Sequence, residues 1–153
     1  MTRNQLILLA AGGSAALMLA ALGFQYLGGL PPCKLCYWQR YPHVAAVVIG
    51  ALALAIKSRI MPLLGAGAAL ATSGVGLYHS GVEQGWWKGP STCTSGDITG
   101  LSTDALMDQI MNAPLVRCDE IPWDFLGLSM ASWNAIAAFV LALIWLAAAR
   151  RSA

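Results

Sequence analysis

Apolar residues fill four long stretches of the chain, and polar residues are gathered between these stretches and at the two ends. The first stretch, residues 6–27, has 22 residues without a formal charge. At about 1.5 Å of rise per residue, a helix of that length reaches roughly 33 Å, enough for a bilayer core of about 30 Å. Comparable stretches cover residues 36–56, 60–79 and 132–149. The pattern therefore predicts four membrane-spanning helices.

The composition strengthens this interpretation. Of the 153 residues, 58% are hydrophobic and only 10% are charged, whereas a soluble domain carries about 25% charged residues. We therefore expect an all-α membrane protein in which residues 1–153 form a single integral membrane domain. The predicted architecture is a four-transmembrane-helix bundle, with residues 28–35 and 80–131 as loops on one side of the membrane.

Pro42 determines where the second span must begin. A helix starting at Pro42 would have 15 residues up to Ile56, or about 22 Å, which is too short to cross. We therefore expect the helix to start near Leu35 or Cys36 and to bend at Pro42. This start places Cys36 at a helix N-terminus, where the helix dipole favours a thiolate.

The long loop contains one short amphipathic pattern between Thr103 and Asn112. Its apolar residues recur at the spacing of a helix, which predicts one short helix capped by Thr103. Because its apolar face is large, we expect the helix to lie on the membrane surface. The apolar face consists of Leu106, Met107, Ile110 and Met111, and the polar face carries Asp104 and Asp108.

The basic residues predict the orientation of the chain. Five cations lie at the termini and in the short connection between the second and third spans, and four lie on the other side together with all seven acids. The positive-inside rule then puts both termini in the cytoplasm, and both cysteine-bearing loops in the periplasm of a bacterium, where disulfides persist. The five are Arg3, Lys57, Arg59, Arg150 and Arg151; the four are Lys34, Arg40, Lys88 and Arg117.

Four cysteines carry the candidate chemistry. Cys33 and Cys36 are separated by two residues at the start of the second span, and Cys93 and Cys118 lie in the long polar loop, which we expect to expose them. A C-x-x-C pair is compatible with dithiol redox chemistry, with half of a zinc site or with a structural disulfide. Redox chemistry fits best, because closing so short a loop stabilises a fold little. Zinc would need four ligands, which the four cysteines could supply.

Three further polar residues lie near the predicted outer ends of the spans. Arg40 follows Cys36 by one helical turn, so it is placed to stabilise negative charge on that sulfur or on an acceptor beside it; the alternative is a snorkelling arginine. His79 ends the third span and is a candidate proton carrier or a structural residue. His43 lies deeper in the second span, and the sequence assigns it no role.

Together, these motifs resemble the disulfide bond formation protein B (DsbB) family, and the resemblance extends over essentially the whole chain. Each motif alone is common, but the C-x-L-C pair with a trailing arginine is specific in combination with the later aromatic string. The matching elements are Pro32-Cys33-x-Leu35-Cys36, Arg40, a cysteine pair in the second outer loop, and Trp123-Asp124-Phe125-Leu126-Gly127-Leu128.

The resemblance implies an enzyme of the bacterial inner membrane. Members of the family reoxidise DsbA, a periplasmic thioredoxin-fold oxidant, and pass the electrons to membrane quinone. The expected partners are thus a DsbA-like protein, a quinone (ubiquinone or menaquinone) and the lipid bilayer. Neither nucleic acid nor a metal ion is expected.

The resemblance also implies roles for individual residues. Cys93–Cys118 would be the disulfide that reduced DsbA attacks, with Cys93 joining DsbA transiently. Cys33–Cys36 would be a second disulfide that reoxidises the first. Cys36 would lie nearest the quinone, with Arg40 beside it, and His79 resembles the histidine of the family at the end of the third span.

Two other functions compete with this interpretation. The first is a vitamin K epoxide reductase-like enzyme, which also links thiol chemistry to quinone in a four-helix protein. Its C-x-x-C pair lies near the end of a late span, whereas the pair here precedes the second. The other alternative is a membrane protein that binds a metal ion through its four cysteines.

Overall fold

The computed structural model describes residues 1–94, 100, 102–111 and 116–151. Within these residues the chain forms five helices and one short antiparallel ribbon. The helices are α1 (Arg3–Tyr26), α2 (Lys34–Ala55), α3 (Ile60–Glu83), α4 (Thr103–Met111) and α5 (Met130–Arg150), and the strands are β1 (Asp124–Phe125) and β2 (Leu128–Ser129). The predicted all-α character is confirmed.

Three of the helices, α1, α3 and α5, are long and apolar enough to cross a membrane. Helix α2 has 22 residues and hence sufficient length, but its first half carries Lys34, Gln39, Arg40 and His43, which lower its mean hydropathy. It starts at Lys34, one residue before the predicted start, and continues as a helix through Pro42. The predicted helix start is therefore correct to within one residue.

The long helices run alternately in opposite directions and pack in a ring, α1 on α2, α2 on α3, α3 on α5 and α5 on α1. A buried apolar core fills the end where α1 and α3 begin and α2 and α5 end, so both termini lie at this end. Arg3 closes the same end by donating hydrogen bonds to the carbonyls of Ile56 (3.4 Å) and Ser58 (3.0 Å). The core residues are Leu6, Ile7, Ala10, Ala53, Ala66, Ala69, Leu141, Ala142, Trp145 and Ala148.

Trp145 is the largest side chain that is fully buried. Small residues make room for its indole, because a Cβ atom added to Gly65 would lie 2.6 Å from a carbon of the ring. Close approach of helices at small residues is the usual packing mode inside membranes, where apolar surface alone gives no attraction between helices.

We expect Gly65→Ala to be less stable than Gly67→Ala by about 1–3 kcal/mol, the usual cost of overpacking a core. Both substitutions gain the same helix propensity, but only Gly65 contacts Trp145, and nothing lies within 4 Å of a Cβ atom at Gly67. Thermal denaturation of the two purified variants measures the difference. Equal melting temperatures would show that α3 and α5 separate here without cost.

The ribbon was not predicted, although its residues belong to the aromatic string recognised in the sequence. Its two-residue turn has positive φ at both central positions, 53° at Leu126 and 74° at Gly127. Glycine suits the second position, because it adopts this conformation without a Cβ clash. Before the turn, Trp123 and Phe125 lie on one face of the extended segment and stack, with ring centroids 6.1 Å apart.

The structure has a short helix, α4 (Thr103–Met111), in this part of the chain, and its cap differs from the prediction. Ser102, not Thr103, is the capping residue: its hydroxyl accepts a hydrogen bond from the Ala105 amide at 3.3 Å. The serine precedes the helix, whereas Thr103 is already its first residue. Asn112, the predicted last residue, lies outside the described residues.

Candidate active site

Cys33 forms the N-cap of α2 and organises the C-x-x-C pair. Its sulfur accepts a hydrogen bond from the Cys36 amide at 3.2 Å, and the two sulfur atoms are 2.9 Å apart. The two thiols are free in this structure, so the implied Cys33–Cys36 disulfide is not formed here, although the sulfurs are already in contact. We predicted that the helix N-terminus would act on Cys36; the Cys36 amide at this end of α2 is directed at the Cys33 sulfur.

The thiol proton of the pair nevertheless resides on Cys33. The pKa of Cys33 is raised, first because its thiol donates a hydrogen bond to the Cys36 sulfur, and second because the side chain is buried. A raised pKa keeps Cys33 protonated at neutral pH. The negative charge of the singly ionised pair therefore lies on Cys36, as the sequence analysis expected.

We expect an alkylating agent to modify Cys36 before Cys33 when the reduced protein is treated at neutral pH, because only a thiolate reacts. In a Cys36→Ser variant the acceptor sulfur is lost, so the apparent pKa of Cys33 should fall towards the ordinary value of about 8.5. Peptide mass spectrometry over a pH series measures both effects. Preferential labelling of Cys33 at neutral pH would reverse the assignment.

Cys93 and Cys118 form a disulfide bond, as the resemblance implied. The expectation that this pair is exposed is wrong, because Cys93 is 1% and Cys118 is 0% exposed. They belong to one buried cluster with Cys33, Leu35 and Val82. Tertiary packing thus brings the two cysteine pairs together, although 56 residues lie between Cys36 and Cys93 in the sequence.

His79 of α3 lies beside the C-x-x-C pair. Its Nε2 atom is 3.6 Å from the Cys33 sulfur and 3.7 Å from a carboxylate oxygen of Glu83. Its Nδ1 atom is 2.9 Å from the amide nitrogen of Gln39. The structure therefore places His79 beside the C-x-x-C pair, a contact that the sequence analysis did not specify.

A chain of buried polar groups fixes the orientation of the His79 ring. Gln39 donates to the Leu35 carbonyl at 3.2 Å, and its side-chain oxygen accepts from Asn134 at 2.9 Å. This arrangement makes its amide nitrogen the donor to Nδ1 of His79, so neutral His79 carries its proton on Nε2. At the other end of this hydrogen-bond network, Nε2 of His43 is 2.9 Å from the Asn134 side-chain oxygen. His43 thus completes the network and makes no contact with the cysteines.

A cavity of about 630 Å³ opens beside the C-x-x-C pair, between α1, α2 and the segment that precedes α5. Most of its wall is apolar, including Phe24, Trp123 and Trp133, and its polar lining includes Cys36 and Arg40. Its size is typical of sites for organic ligands, which run from about 300 to 1,000 Å³.

Arg40 is half-buried at this cavity and is held by α1. It donates to the side-chain oxygen of Gln25 at 2.6 Å and to the Ala21 carbonyl at 3.5 Å, and it lies over the Tyr37 ring at 5.2 Å. All three partners are neutral, so none of them neutralises the positive charge that the guanidinium presents to the cavity. The predicted placement of Arg40 and Cys36 on one face of α2 is found in the structure.

Glu83 is the site residue that the sequence analysis missed. It follows His79 by one turn of α3, and its side chain is only 3% exposed. The Ser129 hydroxyl donates a hydrogen bond to its carboxylate. The H-x-x-x-E spacing was visible in the sequence, but this glutamate was grouped with the other acids of the loop.

The geometry argues against zinc. Cys33, Cys36 and His79 place three potential ligand atoms within 4.8 Å of one another. Zinc–sulfur bonds of about 2.3 Å in a tetrahedral site would hold two sulfurs roughly 3.8 Å apart, but here they are 2.9 Å apart. In addition, Cys93 and Cys118 are bonded to each other, so a four-cysteine site is not formed.

Comparisons with known proteins agree with these features. A sequence model of the family described as disulfide bond formation protein DsbB matches residues 3–148. Disulfide bond formation protein B of Polaromonas sp. (strain JS666) is 30% identical over 138 residues, covering 86% of this chain and 81% of its own length. Disulfide bond formation protein B 2 of Pseudomonas aeruginosa (strain PAO1) is 33% identical over 143 residues, covering 89% and 83%. No solved structure matches the chain significantly.

The family match and the buried pairing of two cysteine couples point to the same chemistry. The match covers nearly the whole chain, including the C-x-x-C pair, the loop disulfide and the aromatic ribbon. The chain therefore belongs to the disulfide bond formation protein B family and is a membrane thiol–disulfide oxidoreductase that reoxidises DsbA.

Proposed function

We propose that electrons enter this protein at Cys93–Cys118, pass to Cys33–Cys36 and leave to a membrane quinone. The observation that carries the proposal is the shared burial of Cys33, Cys93 and Cys118 in one cluster, with Cys36 at the adjoining cavity. Direct exchange between the pairs needs only local movement. The relatives are named for disulfide bond formation, which requires such a transfer.

The exchange with DsbA begins at the loop disulfide. A thiolate of reduced DsbA attacks Cys93, and the Cys93–Cys118 bond breaks with Cys118 as the leaving thiolate. The second DsbA thiol then attacks the mixed disulfide, which releases oxidised DsbA and leaves two loop thiols. Because both loop sulfurs are buried, the loop must shift before DsbA can reach them; Lys34, which donates to the Thr92 hydroxyl at 3.0 Å, anchors it in the position seen here.

The cavity is the proposed site of the quinone, either ubiquinone or menaquinone. The fit rests on its apolar aromatic wall and on polar lining groups that include Cys36, Arg40 and His79. Bound quinone supplies an acceptor for two electrons and two protons. Arg40 stabilises negative charge at the cavity, Cys36 presents the thiolate, and His79 carries its proton on Nε2, which lies 3.6 Å from the Cys33 sulfur.

We further propose that α2 crosses the membrane together with α1, α3 and α5 as a four-helix bundle. Its length is sufficient, and its polar residues face the cavity or the buried network around Gln39. Positive charge at the end that holds both termini supports a cytoplasmic location for that end. The cysteine pairs, the ribbon and α4 then lie at the periplasmic side.

One assay tests the whole proposal. Purified protein supplied with reduced DsbA and a soluble quinone should reduce the quinone catalytically, which is followed by the loss of quinone absorbance. Cys36→Ala should retain a single stoichiometric oxidation of DsbA by the loop disulfide but lose turnover. Catalytic DsbA oxidation that continues in Cys36→Ala would contradict the proposed path.

A further inference from the structure

Glu83 is a buried carboxyl group at the outer end of α3 for which the proposed electron path has no role. Its carboxylate lies 3.7 Å from Nε2 of His79, and the same nitrogen is 3.6 Å from the Cys33 sulfur. It also lines the cavity, close enough to Cys36 for negative charges on the two residues to repel each other. Ionisable groups buried in membrane proteins are costly and usually functional.

The surroundings of Glu83 can accommodate it with or without its proton. Ser129, the N-cap of α5, donates its hydroxyl to the carboxylate, and the positive end of the α5 dipole favours the ionised form. Ser129 also lies 3.1 Å from the Ser132 hydroxyl, which lies 2.6 Å from that of Ser80. Burial in a cavity with apolar walls favours the protonated form. The surroundings therefore support both the ionised and the protonated form of Glu83, which a residue that exchanges a proton requires.

The charges around the cavity favour a single negative charge shared by Cys36 and Glu83 over one on each. Among the described residues, Arg40 is the cavity cation held by neutral partners, because Arg117 is paired with Asp119 at 2.9 Å and Glu120 at 3.0 Å. Besides the two thiols and His79, the titratable side chains lining the cavity are Arg40 and His43 of α2, and Arg117 and Glu120. Among the described residues, α5 contributes no titratable side chain to this lining; its polar lining groups are Trp133 and Asn134. Two anions, Cys36 and Glu83, would therefore face a single unneutralised cation.

We propose that Glu83 is a proton-exchanging residue of this site, which shares the single negative charge of the cavity with Cys36. In the reduced protein Cys36 is the anion and Glu83 holds a proton; after the pair is oxidised, Glu83 is the anion. This inference rests on the proposed quinone reduction and adds the source of its second proton.

The exchange balances without a proton from water. As the Cys33–Cys36 bond forms, two electrons leave the sulfurs for the quinone, and Cys33 and Glu83 give up one proton each, which yields hydroquinone. The site carries a charge of −1 before and after the step. When the loop dithiol reduces the Cys33–Cys36 disulfide, its two protons go to the Cys33 sulfur and to Glu83, while Cys36 becomes the thiolate.

The test is the reduced-minus-oxidised infrared difference spectrum of the full-length protein freed of quinone, at neutral pH. The acid-form carbonyl band of one carboxyl group should appear on reduction of the protein. It should be lost in Glu83→Gln, shifted in Glu83→Asp and unchanged in Asp104→Asn, which removes an exposed carboxylate of α4. Absence of a carboxyl band, or a band unaltered in both Glu83 variants, would overturn the proposal; the aspartate variant decides if the glutamine variant does not fold.

Kinetics give a second readout. Glu83→Gln should lower kcat for quinone reduction at least tenfold with little change in KM for the quinone, since proton transfer by a positioned side chain typically contributes about 10²–10⁴-fold, and Glu83→Asp should recover part of the rate. An unchanged kcat would overturn the role of Glu83. The infrared result does not depend on bound quinone, so a wild-type protein that fails to reduce quinone would contradict the proposed function separately.

Discussion

The Cys118→Ala variant is expected to lose turnover with DsbA by at least about 10³-fold, as is usual when one member of a catalytic unit is removed. It should also accumulate a mixed disulfide between Cys93 and DsbA. The Cys93 thiolate attacks oxidised DsbA and forms the adduct, but Cys118, which would normally resolve it from this chain, is absent. Acid quenching, alkylation and non-reducing electrophoresis detect the adduct, and peptide mapping identifies the linked cysteine.

Cys36→Ala is the matched control, because it also removes one sulfur but leaves the loop disulfide intact. It should accumulate no adduct through Cys93 beyond the single round that the loop pair supports. An adduct of the Cys118→Ala variant that maps to Cys33 or Cys36 would mean that DsbA reaches the C-x-x-C pair directly. Because Cys33 is buried in this structure, the C-x-x-C pair itself would then have to become accessible to DsbA.

The long helices were predictable because burial in lipid imposes a simple rule on sequence. A span must be apolar over about 20 residues, so α1, α3 and α5 are visible as uncharged runs. The start of α2 followed from the same length requirement applied to Pro42. The aromatic ribbon was not predictable, because four paired residues around Leu126 and Gly127 carry no periodicity long enough to recognise.

The site was only partly predictable, for a related reason. Spacing in the sequence reveals neighbours within one helix, and it correctly placed Arg40 one turn after Cys36. It says nothing about contacts between distant segments, so neither the burial of Cys93 and Cys118 against Cys33 nor the Gln39–Asn134 link was foreseen. Glu83 was missed for a different reason. Its role depends on its burial, and the sequence does not distinguish a buried glutamate next to a polar loop from a solvent-exposed one.

The Arg40→Ala variant is expected to raise the apparent KM for quinone at least tenfold, or to lower turnover to a similar degree. Arg40 is the cation that faces the cavity without a carboxylate partner among the described residues, so its removal leaves the Cys36 thiolate uncompensated. A lost interaction of about 1.4 kcal/mol already corresponds to a tenfold change. Steady-state quinone reduction at saturating reduced DsbA separates the effect on KM from that on kcat.

Two further variants decide whether the charge or its geometry matters. Arg40→Lys keeps the charge but loses the planar fork that donates to both Gln25 and Ala21, so partial activity is expected. Lys57→Ala removes an exposed cation from the α2–α3 connection, at the opposite end of α2, and should leave the quinone KM unchanged. If Arg40→Ala behaves like Lys57→Ala, Arg40 only anchors α2 at the membrane surface.

The cavity beside Cys36 would then need another group to balance the thiolate. Among the described residues that line the cavity, the other arginine is Arg117, which is already paired with Asp119 and Glu120.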